Sequence, residues 1–250
     1  MARFIMVVVM MMVVVTARAE TLTGEKVDVR IDVEGVSTRF FEPRDIAGTV
    51  DGGSQDATYR FRYTLLQPGD AYSIAVQSRS NGLRYGIGVA VDGRCILTGM
   101  KVPATVQMAS SWPNMYVVGG RGGEFRGWRE DAGNIRRFVV SSEDRSLAAT
   151  LWNDRSATGT IVVSIFRETP SQEPMMKGER GVKGLGTAAG EREESRVVSV
   201  DFTSRPVAYE VFVLRYASKP ELKKLGVWTE EAVPNRFWPT EKPFIGRIPE

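Results

Sequence analysis

Alternating apolar and polar positions run through most of the chain and predict β-strands. In Lys26–Val33 the valines and Ile31 fall on one face and the charged residues on the other, and Tyr59–Leu65 repeats this with aromatic residues and arginines. A period of two is typical of a strand with one buried and one solvated face. The same criterion predicts strands at Tyr72–Val76, Tyr85–Val91, Arg94–Thr98, Met115–Val118, Glu124–Trp128, Asn134–Val140, Gly159–Arg167, Arg196–Phe202 and Tyr209–Tyr216.

Two of these strands carry more information than the rest. Tyr85–Val91 places its large residues on one face and its small residues on the other. Tyr209–Tyr216 is apolar on both faces, which predicts a central strand that is covered on both sides.

Turn and cap signals join the predicted strands. Asn81-Gly82 and Asp92-Gly93 each predict a tight hairpin turn, because these residue types accept positive φ, so residues 72–98 are expected to form an antiparallel meander. Short helices are predicted at Asp144–Leu151 and after Ser218, where Pro220 and Glu221 suit a first turn. Many short strands and little helix indicate a mostly β fold, an antiparallel β-sandwich, with jelly-roll and immunoglobulin-like topologies both open.

Composition shifts divide the chain into segments. Residues 20–168 are expected to form the sandwich. Thr169–Ser195 holds five glycines and many charges without an apolar period, and is expected to be a flexible linker or loop. Residues 196–227 are then predicted to form a small C-terminal strand–strand–helix appendage. Residues 228–250 are predicted to be an extended, proline-rich tail with Phe237, Trp238 and Phe244 as anchors.

The first nineteen residues have the pattern of a secretory signal peptide. Arg3 precedes twelve apolar residues, Phe4–Val15, and Ala17 and Ala19 stand at the −3 and −1 positions of a cleavage site. The run is too short for a typical membrane-spanning helix. We therefore expect an exported protein, periplasmic or extracellular, without an integral span after cleavage; retention of the segment as an anchor is the alternative.

Composition excludes several kinds of chemistry. The chain has no histidine, which excludes Ser-His-Asp and Cys-His relays and His-ligated zinc or haem. Cys95 is the single cysteine, so an intrachain disulfide or a four-thiolate metal site is excluded. Removal of residues 1–19 takes Arg3 and Arg18 from the 33 basic residues and leaves 31 against 30 acidic ones. A net charge of +1 argues against nucleic acid as a partner.

A succession of short motifs resembles a group of exported bacterial β-rich proteins that have no assigned activity. It runs through Tyr72–Val76, Asp92–Gly99, Phe125–Arg129, Arg137–Val140 and Ile161–Glu168. The resemblance implies a secreted β-rich domain and adds no mechanism. Cys95 stands where that pattern favours asparagine, and Arg145-Ser146-Leu147 stands where it has Ser-Tyr-Ala.

Four residues are the candidates for ligand binding. Asp92 and Arg94 could present an acid and an arginine at a hairpin tip, although turn chemistry alone explains Asp-Gly. Trp128 could offer a flat apolar face to a sugar ring, and the Arg129 guanidinium could bind a carboxylate or a phosphate with two hydrogen bonds. The alternative is that Trp128 is a core residue and Arg129 is solvated.

The composition and the resemblance favour an exported, non-catalytic structural or interaction module of the cell envelope or extracellular space. No catalytic residue, cofactor or metal is assigned, and the expected partner is another envelope or extracellular protein or a polysaccharide. One alternative is a carbohydrate-binding module that uses Trp128, Trp112 or Trp152 as a platform. The other is a glycoside hydrolase that works with carboxylates alone, for which Asp131, Glu143, Asp144 and Asp154 are the candidate acids.

Overall fold

Strands make up most of the regular structure, as the alternation predicts. A computed structural model describes residues 21–42, 51–53, 58–80, 82–103, 106–169 and 190–228. The strands are β1 (Leu22–Thr23), β2 (Val27–Val33), β3 (Val36–Ser37), β4 (Phe40–Phe41), β5 (Asp51–Gly53), β6 (Thr58–Leu65), β7 (Ala71–Ser78), β8 (Tyr85–Val91), β9 (Arg94–Cys95), β10 (Tyr116–Val118), β11 (Gly123–Phe125), β12 (Gly127–Arg129), β13 (Asn134–Val139), β14 (Thr160–Arg167), β15 (Arg192–Glu194) and β16 (Glu210–Ala217). The α-helices are α1 (Leu147–Thr150) and α2 (Lys219–Lys224), and single 3₁₀ turns lie at Ala109–Ser111 and Glu143–Arg145.

The strands form two sheets. The first sheet has the order β1-β2-β7-β13-β12, with β3 on β2, β11 on β7 and β15 on β13. The second sheet has the order β10-β8-β14-β16-β6-β4, with β5 on β6 and β9 on β8. Among the described strands every pair is antiparallel except β16 and β6, which run parallel. The predicted mostly β sandwich is confirmed, and one sheet is mixed where a purely antiparallel one was expected.

One apolar core lies between the two sheets. Val29 and Ile31 of β2 and Ile74 of β7 reach it from the first sheet, and Ile87 of β8 and Val163 of β14 reach it from the second. All five are at most 2% exposed. The period of two predicts these same positions as inward-facing, so the sequence alone identified the residues that enter the core.

The second sheet is also covered on its outer face. Gly86, Gly88 and Ala90 present the small face of β8 there, and the rings of Phe202 and Trp112 lie against Gly86 and Gly88. A Cβ atom at Gly88 would lie 2.6 Å from Trp112 Cδ2, and one at Gly86 would lie 2.5 Å from Phe202 Cε1. The uneven distribution of large and small residues in this strand is therefore explained by aromatic rings packed directly on its backbone.

The C-terminal strand is part of the sandwich and not of an appendage. β16 lies between β14 and β6, with Val213 opposite Val162 on one side and Phe61 on the other. Val211, Phe212, Val213 and Leu214 are all buried, as predicted for a strand that is covered on both faces. The sequence could not show this position, because apolar faces report burial and not the identity of the neighbouring strand.

One of the two predicted hairpin connections is wrong. β7 and β8 do not form the expected hairpin, since β7 belongs to the first sheet and β8 to the second. Gly82 has φ +106°, which fits a turn, and Asn81 lies outside the described residues. The Asp92-Gly93 hairpin is confirmed, because β8 and β9 pair directly across it.

The strand predicted at Arg196–Phe202 is absent, and a strand forms inside the predicted linker instead. β15 pairs with β13, and Glu193 of β15 faces Arg126 at 2.6 Å (Oε1 to Nη1) and Arg137 at 3.9 Å (Oε2 to Nε). Val198 and Val200 are 84% and 50% exposed, while the Phe202 ring packs against Gly86 on the outer face of β8. Charge pairs accompany this strand pairing, and an apolar pattern does not report them.

Three predicted segments lie outside the described residues: the signal peptide at 1–19, most of the predicted linker (170–189) and the tail from residue 229. Of the helices that are described, none has the length and hydropathy needed to cross a bilayer.

Candidate functional site

A cleft of about 670 Å³ opens at one end of the sandwich. It lies where β8, β13 and β16 end and β7 and β14 begin, and it is closed at the sides by residues 141–158 and by α2. The apolar positions that face the core give way here to tyrosines. Tyr216 follows Phe212 and Leu214 on the same face of β16, and Tyr72 begins the inward series of β7.

Asp92 lies in the cleft wall and links three parts of the fold. It stands in the two-residue turn between β8 and β9, where Asp92 and Gly93 have φ of +49° and +74°. Its Oδ1 accepts a hydrogen bond of 2.8 Å from the Gly159 amide and another of 2.8 Å from the Tyr216 hydroxyl. Its own amide donates to the Thr160 carbonyl oxygen at 2.8 Å. The acid at the hairpin tip therefore points inward, toward the start of β14 and the end of β16.

Burial controls the protonation of this group. Loss of solvent raises the pKa of the Asp92 carboxyl above its usual value of 3.8, and the hydrogen bonds from Tyr216 and the backbone at Gly159 and Thr160 oppose that rise. Burial, together with the charge of Asp92, raises the pKa of Tyr72 and of Tyr216 well above 10.0. Both tyrosines therefore keep their protons at neutral pH.

A chain of aromatic contacts connects Asp92 with Arg94 and Trp128. The Arg94 guanidinium lies 4.5 Å from the centre of the Trp152 ring, and the rings of Trp152 and Trp128 are 6.1 Å apart. From Trp128 the contacts continue to Phe138 at 5.8 Å, to Tyr72 at 5.1 Å and to Tyr216 at 6.2 Å between ring centroids. Three of the four candidate residues thus belong to one packed cluster at this end of the core.

Two of the candidate tryptophans, Trp112 and Trp128, do not form an exposed platform for a sugar ring. Trp128 and Trp112 are each 5% exposed. Trp112 lies against Gly88, and Trp152 is half-buried with Arg94 over its ring. The expectation of an exposed platform at Trp128 or Trp112 is therefore wrong. These rings fill space against the glycine-bearing backbone and the aromatic core.

Arg129, the fourth candidate, is placed elsewhere and holds the chain after β15. Its Nη1 donates to the Ser195 carbonyl oxygen, and its Nη2 lies 3.4 Å from both the Tyr116 hydroxyl and Ser195 Oγ. This guanidinium connects β12 to β10 and to Ser195, and it does not line the cleft.

Of the four candidate carboxylates, only Glu143 lines the cleft. Asp131 caps the β12–β13 turn, where the Gly133 amide and the Asn134 side chain lower its pKa. Asp154 pairs with Lys101 at 2.6 Å, which lowers its pKa, and Asp144 pairs with Arg155 at 2.9 Å. Within the described part of the chain no three acids or cysteines come close enough together to hold a metal ion.

Sequence reasoning missed Tyr72 and Tyr216 as site residues. The available signal was position, since each tyrosine stands at the end of an inward-facing apolar series, where a ring can pack while its hydroxyl reaches the edge of the core. The sequence does not show that both tyrosines lie near Asp92, because this depends on which strands are the neighbours of β16.

Comparisons with protein-family models, with curated proteins and with solved structures found no match for this chain. The resemblance to exported bacterial β-rich proteins therefore stays a prediction.

Proposed function

We propose that this protein is an exported, non-catalytic interaction module of the cell envelope or extracellular space, and that the cleft beside Asp92 is its binding site. The observation that carries the proposal is the lining of the cleft. Polar groups from six separate elements and segments converge on a space of about 670 Å³, a size that suits a small ligand or a short segment of a partner.

The state of Asp92 favours binding over catalysis. Its Oδ1 already accepts two hydrogen bonds, from Gly159 and Tyr216, and these hold the carboxylate in the fold. Because both hydrogen bonds hold the Asp92 carboxylate in place, this group fixes the shape of the site. The Tyr216 hydroxyl, which donates to Asp92, can still accept a hydrogen bond from a ligand, and the Tyr72 hydroxyl and the serines at the mouth of the cleft offer further polar groups.

Site-specific cross-linking in cells tests the proposal. A photoreactive residue is placed at Ser142, which is exposed and lines the cleft, and in a control at Val36, which is 68% exposed on β3. We expect one partner, in stoichiometric amount, to be captured from Ser142 and not from Val36, with the mature chain beginning at Glu20. Equal capture from both positions, or no capture from Ser142, would contradict the proposal.

A carbohydrate is the second candidate ligand, and the hydroxyl-rich lining favours it. Ser141, Ser142, Ser156 and Thr158 line the cleft together with Tyr216. Hydroxyl and carboxylate groups can pair with the many hydroxyls of a sugar. In this form of the carbohydrate-binding hypothesis, the sugar binds in the cleft and not on an exposed tryptophan.

A titration with soluble polysaccharides, followed by intrinsic fluorescence, separates the carbohydrate version from the protein-partner version. Arg155→Ala changes an exposed residue of the cleft wall, and Arg121→Ala changes an exposed arginine outside the cleft. A glycan ligand predicts a signal that Arg155→Ala weakens and Arg121→Ala does not. If the protein instead releases reducing sugar, and Glu143→Gln abolishes this activity, the carboxylate-only glycosidase replaces both versions.

A further inference from the structure

A second pocket, of about 430 Å³, lies at the opposite end of the sandwich from the cleft. Glu25, Lys26 and Arg79 line it from the first-sheet side, and Tyr85 and Arg167 line it from the second sheet. β8 and β14 each run from one end of the sandwich to the other. The two sites are therefore separated by about 20 Å, the length of a seven-residue strand.

The alternation along β14 explains why a cation stands at the end of the core. Ile161, Val163 and Ile165 face the core, and Arg167 is the next residue of the same series. Arg167 is directly opposite Tyr85 in the antiparallel β8–β14 pair, so the two side chains project from the same face. Tyr85 is fully buried, whereas Arg167 is exposed where the strand ends.

The pocket brings together a buried hydroxyl that has no hydrogen-bond partner and an exposed guanidinium that forms no ion pair among the described residues. The Tyr85 hydroxyl is buried and has no hydrogen-bond partner among the described residues. Arg167 forms no ion pair within the described part of the chain. A buried hydroxyl without a partner has a cost in free energy, and proteins normally satisfy such a group with a water molecule, an ion or a ligand.

The other charged groups at the pocket are already paired. Glu25 is held by Lys26, with Nζ and Oε1 3.2 Å apart, and by a hydrogen bond from Tyr209, and both lower its pKa. Arg79 donates to the Gly24 carbonyl oxygen at 2.9 Å, and its Nε lies 3.9 Å from Asp28 Oδ1. Two acids thus face Lys26 and Arg79, and Arg167 supplies the excess positive charge.

We propose that this pocket binds a small oxyanion, with Arg167 as the counter-charge and the Tyr85 hydroxyl as a hydrogen-bond donor. Phosphate, sulfate and carboxylate groups share the required chemistry, since each offers charged oxygens that accept from a guanidinium and a hydroxyl at once. The anion is either free in solution or a group on a polymer. This site is independent of the cleft and of the function proposed for it.

Calorimetric titration of the mature protein with inorganic phosphate and with sodium sulfate, at low ionic strength with chloride as the reference, tests the proposal. Arg167→Gln should weaken binding about 10-fold or more, because a hydrogen bond to a charged group is lost together with the counter-charge. Tyr85→Phe should also weaken binding about 10-fold or more, because the hydroxyl donates to a charged oxygen. Arg121→Gln removes the same charge from an exposed site away from the pocket and should leave the affinity unchanged.

Stability measurements separate a binding role of Tyr85 from a structural one. Without an added anion, Tyr85→Phe should unfold at the same urea concentration as the wild type or a higher one, because the lost hydroxyl had no partner. Dextran sulfate at equal sulfate concentration then distinguishes a polymer-borne group from a free anion. The proposal is overturned if phosphate and sulfate bind no better than chloride, if Arg167→Gln binds as well as Arg121→Gln, or if Tyr85→Phe is destabilised without anion.

Discussion

Asp92 shows how a turn residue can also join distant parts of a fold. The Asp-Gly pair forms the β8–β9 turn, which requires positive φ at both residues. The side chain then binds Gly159 and Tyr216, which follow in the sequence by 67 and 124 residues. One carboxylate therefore fixes the mouth of the cleft, and its burial raises its pKa.

The raised pKa of Asp92 predicts a specific dependence of stability on pH. The folded protein binds this proton more tightly than the unfolded chain does, so the contribution is fully present below pH 3.8, the usual pKa, and is lost as the pH rises through the higher folded-state pKa. Asparagine does not titrate, and it can accept the same two hydrogen bonds. We expect Asp92→Asn to gain stability relative to the wild type between pH 3 and pH 7, measured by urea unfolding at both pH values.

Asp131 supplies a control of opposite sign. Hydrogen bonds from Gly133 and Asn134 lower its folded-state pKa, so its contribution is present above pH 3.8 and lost as the pH falls. Asp131→Asn should therefore lose stability relative to the wild type over the same interval. Parallel pH profiles for the two variants would refute the assignment of a buried carboxyl to Asp92.

At the scale of the element, β8 is built to be covered on both faces. Tyr85, Ile87, Val89 and Val91 enter the core between the sheets, while the outer face carries only glycine and alanine. The backbone itself is the surface on which Trp112 and Phe202 pack. Close approach, and not a turn, explains the two glycines in the interior of this strand.

Gly88→Ala should destabilise the protein by about 1–3 kcal/mol, because the added methyl group overlaps the Trp112 ring and forces it to move. The overlap is direct, with the new Cβ 2.6 Å from Trp112 Cδ2. Urea unfolding gives the change in free energy, and near-ultraviolet circular dichroism reports the displaced indole. Gly119→Ala is the matched control, since a Cβ at Gly119 meets no atom within 4 Å. A Gly88→Ala variant as stable as the Gly119→Ala variant would show that Trp112 does not pack there.

At the scale of the whole molecule, the fold is closed by a strand that comes late in the chain. β16 separates β14 from β6, and its residue Glu210 is opposite Thr58 in the parallel pair. Glu210 is fully buried and accepts from Arg60 Nε at 3.0 Å and from the Glu25 amide at 2.9 Å, which joins the start of the first sheet to the second. These contacts join residues that are far apart in sequence and tie the last strand to the first part of the chain.

A chain that ends at residue 168 should therefore fail to fold, although it contains the whole segment that the sequence predicts as the sandwich. Without β16, strands β14 and β6 lose their shared neighbour and the apolar faces of both are exposed. A chain of residues 20–228 retains every described element and should unfold cooperatively. Far-ultraviolet circular dichroism and size-exclusion chromatography of the two chains make the comparison. If the 20–168 chain is folded and monomeric, residues 196–227 are an appendage that the sandwich does not need.

The local features of the fold followed from the sequence because they depend on a few neighbouring residues. Alternation located β2, β6, β8 and β14 to within a residue or two, since it reports which faces are buried. The Asp92-Gly93 turn was also predictable, because its backbone conformation restricts the residue type. At the site, Asp92 and Arg94 were found by their turn, whereas Tyr72 and Tyr216 were missed.

Tertiary structure alone decided which strands are neighbours and what the strand ends bring together. It placed β7 and β8 in different sheets, inserted β16 between β14 and β6, and paired β15 where the sequence had indicated a linker. It also buried Trp128, joined Tyr216 to Asp92, and set Arg167 opposite Tyr85. The physical reason is that an apolar face is satisfied by any apolar partner. Its pattern therefore determines burial, while strand order depends on the packing and charge pairs of the whole chain.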